Sequence, residues 1–338
     1  MPENGNSVNR RTFLQGTGVA VTGTALSSGT VVADGEAANE KQEDRDGSDE
    51  TMDERPDTRS QPTTIAHRGF AGTYPENTVG AVEMAARGGP QGGADMVEID
   101  VVPTADGDVV VFHDDRLNSR DGGERGLTDV DGVVWETPTE TVTNAEVLGS
   151  GETVPLLSEL FDALPASVGV NIELKNPGSS DVKFAQKLSG DALETQKEVW
   201  RPFTEDVLDV AGEYENDVLV SSFYEAALAT VRETDPSIPL AFLFWDDIEA
   251  GLEITRTYDC EALHPPYNLV KGTPFFEDEY YTSGPYADID LVDVAHEEGR
   301  AVNVYTVGTW YQAQELARAG VDGLITDYPG LNWDGDGC

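Results

Sequence analysis

Apolar segments that favour β-strands alternate with segments of helical periodicity along most of this chain. The strand-like runs lie at 63–68, 96–102, 168–175, 217–223, 238–245, 260–264, 301–307 and 322–327. Helical patterns lie near 76–87, 156–164, 181–212, 224–234, 246–258, 288–298 and 309–319. Regular alternation of this kind predicts a parallel sheet with helices outside it, and eight repeats predict a closed (β/α)8 TIM barrel.

The repeat is interrupted after the second predicted strand. Residues 108–113 form an extra strand-like run, and the Gly- and Thr-rich residues that follow complete an insertion that spans 108–155. No helical pattern follows the eighth strand, so the last helix of the barrel is expected to be missing. The predicted fold is therefore an α/β barrel with a small strand-rich insertion.

The first 60 residues differ from this pattern. Arg10 and Arg11 precede a weakly apolar stretch, which is typical of a twin-arginine export signal. The residues after it are charged and nearly free of large apolar side chains, which predicts a disordered linker. We therefore expect a signal segment at 1–33, a linker at 34–60 and the barrel domain at 61–338. This order implies export by the twin-arginine machinery and a location outside the cytoplasm.

The charge balance narrows the possible partners. The 338 residues include 21 Lys and Arg against 64 Asp and Glu, a formal net charge of −43. Such a chain lacks the basic surface that nucleic-acid phosphates require, which excludes ordinary nucleic-acid binding. No run of about 18 apolar residues occurs, so no membrane span is expected. Acidic excess with scarce Lys indicates a halophilic protein, because concentrated salt of about 1 M shortens the reach of charge repulsion to about 3 Å.

Polar side chains occur at the carboxyl ends of several predicted strands. In a (β/α)8 barrel, active sites lie at the carboxyl ends of the strands. His67 and Arg68 end the first strand, and His113 ends the extra strand. A histidine titrates near neutral pH and can give or take a proton there. A lone histidine at a strand end is more often a buried, hydrogen-bonded core residue. The pair therefore needs further support before it can be assigned to catalysis.

Three acidic side chains are predicted to converge at the barrel mouth. Glu98 and Asp100 lie two apart on the second strand and so point to one face, and Glu173 lies on the next predicted parallel strand. Two carboxylates about 4 Å apart repel by about 4 kcal/mol at an effective dielectric of about 20. Oxygen ligands of this kind suit one divalent cation, Mg²⁺ or Ca²⁺. The other interpretation is that each acid forms a structural salt bridge with Arg68 or Lys175.

Cysteine chemistry contributes little to the prediction. The chain has two cysteines, Cys260 and the terminal Cys338, which exclude a disulfide scaffold and a thiolate zinc site. Nothing in the sequence places the two thiols together, so we expect them to remain unpaired.

Several short motifs occur in order along the domain. They are HRGF at 67–70, PENT at 75–78, EIDVVPTADGDVVVFHDDRL at 98–117 and IELK at 172–175. Further along, VPLLSEL lies at 154–160, SSF at 221–223 and GVDGLITDYPG at 320–330. Over roughly residues 63–330, this ordered set resembles the glycerophosphodiester phosphodiesterases.

The resemblance implies a TIM barrel and a reaction that releases glycerol phosphate and an alcohol from a small glycerophosphodiester. It implies a catalytic pair, His67 and His113; a phosphate-binding pair, Arg68 and Lys175; and a metal-ligand set, Glu98, Asp100 and Glu173. It further implies attack by the substrate's own glycerol hydroxyl, which gives a cyclic phosphate that water then opens.

Two aromatic residues are expected to line the substrate pocket. Phe223 ends the predicted strand at 217–223. Tyr305 begins the sequence YTVG, where the family that this chain resembles has Trp-Thr-Val-Asn. Trp310, in the next turn, is a candidate to replace the missing Trp.

Some interpretations remain open from sequence. Asn77 either caps a helix or contacts the site, His264 either faces the site or lies in the core, and His296 is expected at a helix end on the surface. Two alternative functions also remain. One is a related phospholipase-D-like enzyme that acts on lysophospholipids, and the other is a non-catalytic extracellular protein that binds glycerophosphodiesters.

Overall fold

The computed structural model describes the chain from Gln61 to Leu331 apart from a few short gaps. The described ranges are 61–88, 92–120, 123, 125–184, 187–278 and 288–331. The predicted signal segment at 1–33, the predicted linker at 34–60 and Cys338 lie outside them.

Nine strands lie in the described part of the chain. They are β1 Thr63–His67, β2 Met96–Pro103, β3 Val109–Val111, β4 Gly169–Leu174, β5 Val218–Ser222, β6 Leu240–Leu243, β7 Ala262–His264, β8 Ala301–Val307 and β9 Gly323–Thr326. All except β3 are parallel to their neighbours, and β1 pairs with both β2 and β9. These two pairings close the sheet on itself, which confirms the predicted eight-stranded parallel barrel.

Alternation along the strands separates the interior of the barrel from the layer beneath the helices. On β2, the apolar side chains of Val97, Ile99 and Val101 pack in the large core cluster with helix residues. Glu98 and Asp100 have the opposite parity and therefore point inward. The lower interior is filled by a separate apolar cluster of Ile65, Met96, Leu219, Ala241, Ala262, Ala301 and Ile325. In the described part of the barrel, Glu98 and Asp100 thus lie toward the carboxyl ends of the strands, and this apolar cluster fills the opposite end.

The described helices lie between the strands, as the sequence predicts. They are α1 Val79–Arg87, α2 Thr139–Thr143, α3 Leu157–Ala163, α4 Gly190–Ala211, α5 Glu225–Thr234, α6 Ile248–Thr257, α7 Leu291–Glu297 and α8 Trp310–Ala319. Short 3-10 turns lie at Val134–Glu136 and Tyr267–Leu269. Among these helices, none combines the length and the apolar character needed to cross a bilayer.

One helix is shorter than the sequence pattern indicates. The pattern predicts a helix over 181–212, whereas α4 begins at Gly190. The segment before it is a loop held against the helix by Gln196, whose amide donates to the Asp181 carbonyl and accepts from the Lys183 N–H. Lys187 also has a positive φ of 58°, which a continuous helix does not allow. The loop places Phe184 at the mouth of the barrel, after β4.

The insertion after β2 has a small core of its own. Strand β3 pairs antiparallel with β2, and the apolar cluster behind it includes Val102, Phe112 and Leu117. His113 and Asp114 come one residue after the end of β3, beyond Phe112, so the insertion brings both to the barrel mouth.

No helix follows β9 in the described residues, which end at Leu331. The barrel closes nevertheless, because β9 pairs with β1 over four residue pairs, from Thr63 with Gly323 to Ala66 with Thr326. The N–H of Gly72 also donates to the carbonyl of Asp327 at 3.0 Å.

Candidate active site

A cavity of about 270 Å³ opens at the carboxyl ends of the barrel strands. Eight of the nine predicted site residues line it: His67, Arg68, Glu98, His113, Glu173, Lys175, Phe223 and Tyr305. The ninth, Asp100, is fully buried beside them, with its Oδ2 atom 3.1 Å from Nε of Arg68. The structure therefore brings the whole predicted set to one place.

A second cavity, of about 290 Å³, lies at the amino ends of β5 and β6. Its polar lining includes Asn216, Asp217, Asp235 and Ser237, and among its described lining residues there is no histidine and no basic residue. The groups needed for acid–base or phosphate chemistry are therefore in the first cavity.

The three carboxylates meet because of strand register. Asp100 on β2 is directly paired with Glu173 on β4, and Glu98 lies two residues before Asp100 on the same face. Each residue offers one oxygen atom, and these three atoms lie within 4.8 Å of one another. Glu98 Oε1 and Asp100 Oδ1 are buried and have no hydrogen-bond partner in the described structure. Buried carboxylate oxygens are costly when unpaired, so this set fits a hard divalent cation.

Burial and mutual repulsion act differently on the neighbouring acids. Burial, and then the charges of Asp100 and Glu173, hold the pKa of Glu98 well above its ordinary value. Burial also acts to raise the pKa of Asp100, but the positive charges of Arg68 and other groups outweigh it and place that pKa far below its ordinary value. Asp100 therefore stays ionised, and Glu98 gains most from a nearby cation.

Two basic groups lie against the same acids. Arg68 approaches Asp100 through its Nε atom, and its backbone N–H donates to Glu98 Oε2 at 3.0 Å. Lys175 Nζ lies 2.7 Å from Glu173 Oε1 and 3.6 Å from Asp100 Oδ1. The salt bridges of the alternative interpretation are thus present, yet they leave the two carboxylate oxygens without hydrogen bonds. Positive charge is therefore concentrated around an acidic centre, as binding of a phosphodiester requires.

The turn after β1 has a backbone that fixes these groups. Arg68 has a φ of 51° and Gly69 a φ of 77°. A side chain at Gly69 would place its Cβ atom 2.8 Å from Cβ of Ala81. Left-handed conformations at a residue such as Arg68 cost about 1–3 kcal/mol and concentrate at functional sites. Here the turn directs the Arg68 N–H at Glu98.

Each of the two site histidines has its Nδ1 atom beside a carboxylate. His67 Nδ1 lies 2.6 Å from Asp327 Oδ1, and His113 Nδ1 lies 2.8 Å from Asp114 Oδ1. A carboxylate in this position holds the imidazole in the tautomer that leaves Nε2 available for proton transfer. Burial is the main cause that lowers the pKa of His113. Both rings line the cavity, so both Nε2 atoms can serve the same substrate.

Arg120, from the insertion, forms hydrogen bonds with two carboxylates that neighbour the site residues, those of Glu76 and Asp114. Arg120 Nη2 donates to Glu76 Oε1 at 2.6 Å, and its Nε donates to Asp114 Oδ2 at 2.9 Å. Glu76 in turn accepts from Arg68 Nη1 at 2.9 Å. Burial acts to raise the pKa of Glu76, but Arg120 and Arg68 outweigh it and lower the pKa to about 2. Arg120 therefore links the neighbours of His113 and Arg68.

The structure shows where Asn77, His264 and His296 lie, which the sequence left open. Asn77 contacts the site, since its Nδ2 donates to Asp100 Oδ2 at 2.9 Å, while Thr78 caps α1. His264 is buried inside the barrel with Nε2 3.0 Å from Asn303 Nδ2, and it is absent from the described cavity lining. His296 lies at the end of α7 on the surface, as expected, beside Asp322.

Of the aromatic residues expected near the pocket, Trp310 is the one that the structure places elsewhere. Trp310 is 62% exposed and does not line the cavity in the described structure, so it does not replace the missing Trp. Tyr305 itself lines the cavity, and its hydroxyl donates to the Phe244 carbonyl at 2.9 Å. Trp245 lies close to the cavity instead, with its ring 5.0 Å from that of Phe223.

Sequence reasoning did not identify Asp327, Glu76 or Arg120 as site residues. Asp327 directly follows β9, so the strand-end criterion would have found it. Glu76 lies within the PENT motif, which gave a weaker signal. Arg120 lies in an insertion without periodicity, and only the folded structure shows which acids it meets.

The chain is similar to known proteins over most of the described residues. Residues 67–331 match the Glycerophosphoryl diester phosphodiesterase family. A glycerophosphodiester phosphodiesterase of Bacillus altitudinis is 30% identical over 273 residues, which cover 78% of this chain and 94% of that relative. A lysophospholipase D of Mus musculus is 25% identical over 276 residues, which cover 78% of this chain and 83% of that relative.

Solved structures show the same relationship. A phosphodiesterase of Oleispira antarctica, solved in complex with the product sn-glycerol-3-phosphate, is similar at a TM-score of 0.61 and 26% identity. The match covers 80% of this chain and 94% of that structure. Since the family match spans well over half of the chain, this protein belongs to the glycerophosphoryl diester phosphodiesterase family and is an enzyme of that family.

Proposed function

We propose that this enzyme hydrolyses small glycerophosphodiesters to glycerol phosphate and an alcohol by histidine acid–base catalysis with one divalent cation. The observation that carries the proposal is the pair of imidazoles, each beside its own carboxylate, that lines one cavity with the buried carboxylate cluster. The relative from Oleispira antarctica, solved with sn-glycerol-3-phosphate, supports this class of substrate.

Glu98, Asp100 and Glu173 would hold the cation, which we propose to be Mg²⁺ or Ca²⁺. All three are at most 8% exposed, and they offer only oxygen atoms. Such ligands favour hard cations over zinc or copper. When bound, the ion supplies positive charge that stabilises the phosphoryl oxygens as negative charge develops on them.

Arg68 and Lys175 orient the phosphate in this proposal. Both line the cavity. Burial acts to lower the pKa of Lys175, but the negative charges of Glu173 and Asp100 outweigh burial, so the pKa of Lys175 is raised. Lys175 therefore remains an ammonium at neutral pH. A fixed positive charge in a partly closed cavity attracts the anionic diester and favours the more highly charged transition state.

His67 and His113 move the protons. In the first step the glycerol hydroxyl beside the phosphate loses its proton to one imidazole and its oxygen bonds to phosphorus. The P–O bond to the alcohol breaks, and the other imidazole, as its protonated form, gives a proton to the leaving oxygen. In the second step one imidazole takes a proton from water as the water oxygen bonds to phosphorus. The P–O bond to the glycerol oxygen that attacked first breaks, and the other imidazole gives its proton to that oxygen, so each histidine returns to its starting state.

Phosphorus NMR of the reaction tests this proposal. The full chain should convert glycerophosphocholine, glycerophosphoethanolamine or glycerophosphoglycerol to glycerol phosphate when Mg²⁺ or Ca²⁺ is present. An analogue of each diester that has the same charge but lacks the hydroxyl beside the phosphate should remain uncleaved, because it offers no internal nucleophile. Failure to cleave any of the three diesters would refute the function, and rapid cleavage of the analogue would refute the cyclic step.

A second candidate is hydrolysis of lysophospholipids. It is favoured by the partly exposed rings of Phe184 and Trp245 next to the cavity, and by the similarity to a mouse lysophospholipase D. Release of choline from lysophosphatidylcholine at least as fast as from glycerophosphocholine would favour it. The non-catalytic alternative required an incomplete set of histidines or acids, whereas all five residues lie at this site.

We also infer export from the sequence. Arg10 and Arg11 are followed by the weakly apolar segment that twin-arginine signals contain. Fusion of residues 1–60 to a reporter that folds before export should place the reporter outside the cytoplasm. Replacement of both arginines by lysine should retain it inside. A reporter that stays inside with the natural arginines would contradict this inference.

A further inference from the structure

A group of aromatic rings extends the catalytic cavity toward solvent. Phe223 lines the cavity, and its ring centroid lies 5.0 Å from that of Trp245. Trp245 stacks on Phe184 with a centroid distance of 4.7 Å and an angle of 5° between the ring planes. Phe184 is 46% exposed and Trp245 is 38% exposed. We name the rings of Phe184, Phe223 and Trp245 the aromatic shelf.

The shelf begins beside the phosphate-binding groups. Nζ of Lys175 lies 5.8 Å from the centroid of the Phe223 ring. Phe184 and Trp245 continue from Phe223 and belong to the loops that follow β4 and β6, at the open end of the barrel. A phosphodiester has two organic arms. With the phosphate held at Lys175, one arm can lie in the cavity and the other can lie along the shelf.

Carboxylates lie near the shelf. Asp246 directly follows Trp245 and is exposed. Asp115 is also exposed. Burial, and then the charge of Asp115, raise the pKa of Tyr224, whose ring centroid lies 5.3 Å from that of Phe184. Of the lysines nearby in the sequence, Lys187 is paired with Glu253 at 2.5 Å, and Lys183 is exposed to solvent.

Ring faces and carboxylates together favour a particular kind of ligand. The negative face of an aromatic ring attracts cations, and quaternary ammonium groups are recognised in this way because they have no N–H to satisfy. A neutral polyol arm gains no such attraction. An acyl chain would need a long apolar surface, whereas two of the described rings at this place are exposed and the exposed Asp246 adjoins one of them in the chain.

We propose that Phe184 and Trp245 form a subsite for the alcohol arm of the substrate and select a quaternary ammonium headgroup such as choline. The inference rests on the proposed function, because that arm is the leaving group of the proposed reaction. It assigns specificity to residues outside the catalytic set. Removal of the ring faces should therefore change which diester binds well, while the catalytic residues remain in place.

Calorimetric binding in the presence of chelator tests the subsite without turnover. Glycerophosphocholine, glycerophosphoglycerol and lysophosphatidylglycerol are titrated into the full chain, into Trp245→Leu and into Phe184→Leu. Each variant should weaken glycerophosphocholine binding by about 5- to 30-fold and glycerophosphoglycerol binding by less than about twofold. Trp310→Leu is the matched control, since it removes an exposed tryptophan outside the cavity and should change neither affinity.

Three results would overturn the proposal. They are no binding of glycerophosphocholine to the natural chain, an equal loss of affinity for both diesters in Trp245→Leu, and a larger loss for lysophosphatidylglycerol than for glycerophosphocholine. The last result would assign the rings to an acyl chain. Failure of the proposed function is seen separately, as absence of cleavage with Mg²⁺ or Ca²⁺ whatever the affinities are.

Discussion

Asp327 Oδ1 lies 2.6 Å from His67 Nδ1, although the two residues are 260 positions apart in the chain. The contact exists because β9 closes the barrel against β1, so the last residue of β1 and the residue after β9 meet at the mouth. A carboxylate at Nδ1 keeps the proton on that nitrogen and leaves Nε2 as the atom that faces the substrate. Barrel closure and the tautomer of the His67 imidazole are therefore coupled.

Asp327→Asn tests that coupling. The amide can hold the ring in place but favours the wrong tautomer, so kcat should fall by about 10²–10⁴-fold. KM for the diester should change much less, because the phosphate-binding groups are untouched. The matched control is Asp322→Asn, which alters a similar carboxylate–histidine pair on the surface with His296 at 2.8 Å. Equal kcat values for Asp327→Asn and the natural enzyme would contradict the assigned role.

Loss of either site imidazole should abolish most turnover. His67→Ala and His113→Ala should each lower kcat by about 10²–10⁴-fold, because the proton transfers lose their donor or acceptor. Circular dichroism should remain that of the natural protein. His296→Ala serves as the control, since this imidazole lies at the surface end of α7. Near-normal turnover by either site variant would refute the role of that histidine.

The buried His264 predicts a pH dependence of stability. Burial lowers its pKa to about 3 in the folded protein, whereas an exposed imidazole titrates near about 6.5. Between these values the unfolded chain binds a proton that the folded chain does not. The free energy of unfolding should therefore fall as the pH drops below about 6.5, by about 2 kcal/mol between pH of about 7 and about 5 from this residue alone.

Urea denaturation at several pH values measures this effect. His264→Gln removes the titrating group and keeps a polar side chain beside Asn303. In the natural protein, Asn303 Nδ2 lies 3.0 Å from His264 Nε2. The difference in unfolding free energy between the natural protein and this variant should shrink as the pH falls. A difference that stays constant across the range would show that His264 is already protonated in the fold or titrates alike in both states.

The formal charge of −43 predicts a requirement for salt. Self-repulsion destabilises the compact state, and ions screen it to about 3 Å at about 1 M. The melting temperature and the activity should both rise from dilute buffer to concentrated KCl, with Mg²⁺ or Ca²⁺ kept saturating throughout. Full stability and full activity in dilute buffer with the divalent cation present would contradict the halophilic interpretation.

Patterns within single elements are sufficient to predict the barrel and most of the candidate site. The parity of Glu98 and Asp100 along one strand predicts their common face, and the register of β2 with β4 brings Glu173 to the same place. Strand alternation and helical periodicity are local properties, which explains why the predicted strand and helix positions agree with the structure.

Relationships between distant segments are harder to predict. The contact of Arg120 with Glu76 joins the insertion to the turn before α1, and nothing in the periodicity of either segment indicates it. Similarly, the helix predicted to start at 181 begins instead at Gly190. The side chain of Gln196 holds the preceding residues in a loop, because it forms hydrogen bonds with the backbone of Asp181 and Lys183. Tertiary hydrogen bonds of this kind override local helical propensity.

The proposed function requires that the acidic cluster hold a cation on which hydrolysis depends. Its most direct test is the rate of glycerol phosphate release from glycerophosphocholine by chelator-treated enzyme, before and after Mg²⁺ or Ca²⁺ is returned. We expect a rate at least about 100-fold lower in chelator, full recovery in the natural enzyme and in the control Glu83→Gln, whose half-buried carboxylate lies on α1 outside the cavity lining, and no recovery in Glu173→Gln. A rate in chelator equal to the cation-supplemented rate would contradict the claim.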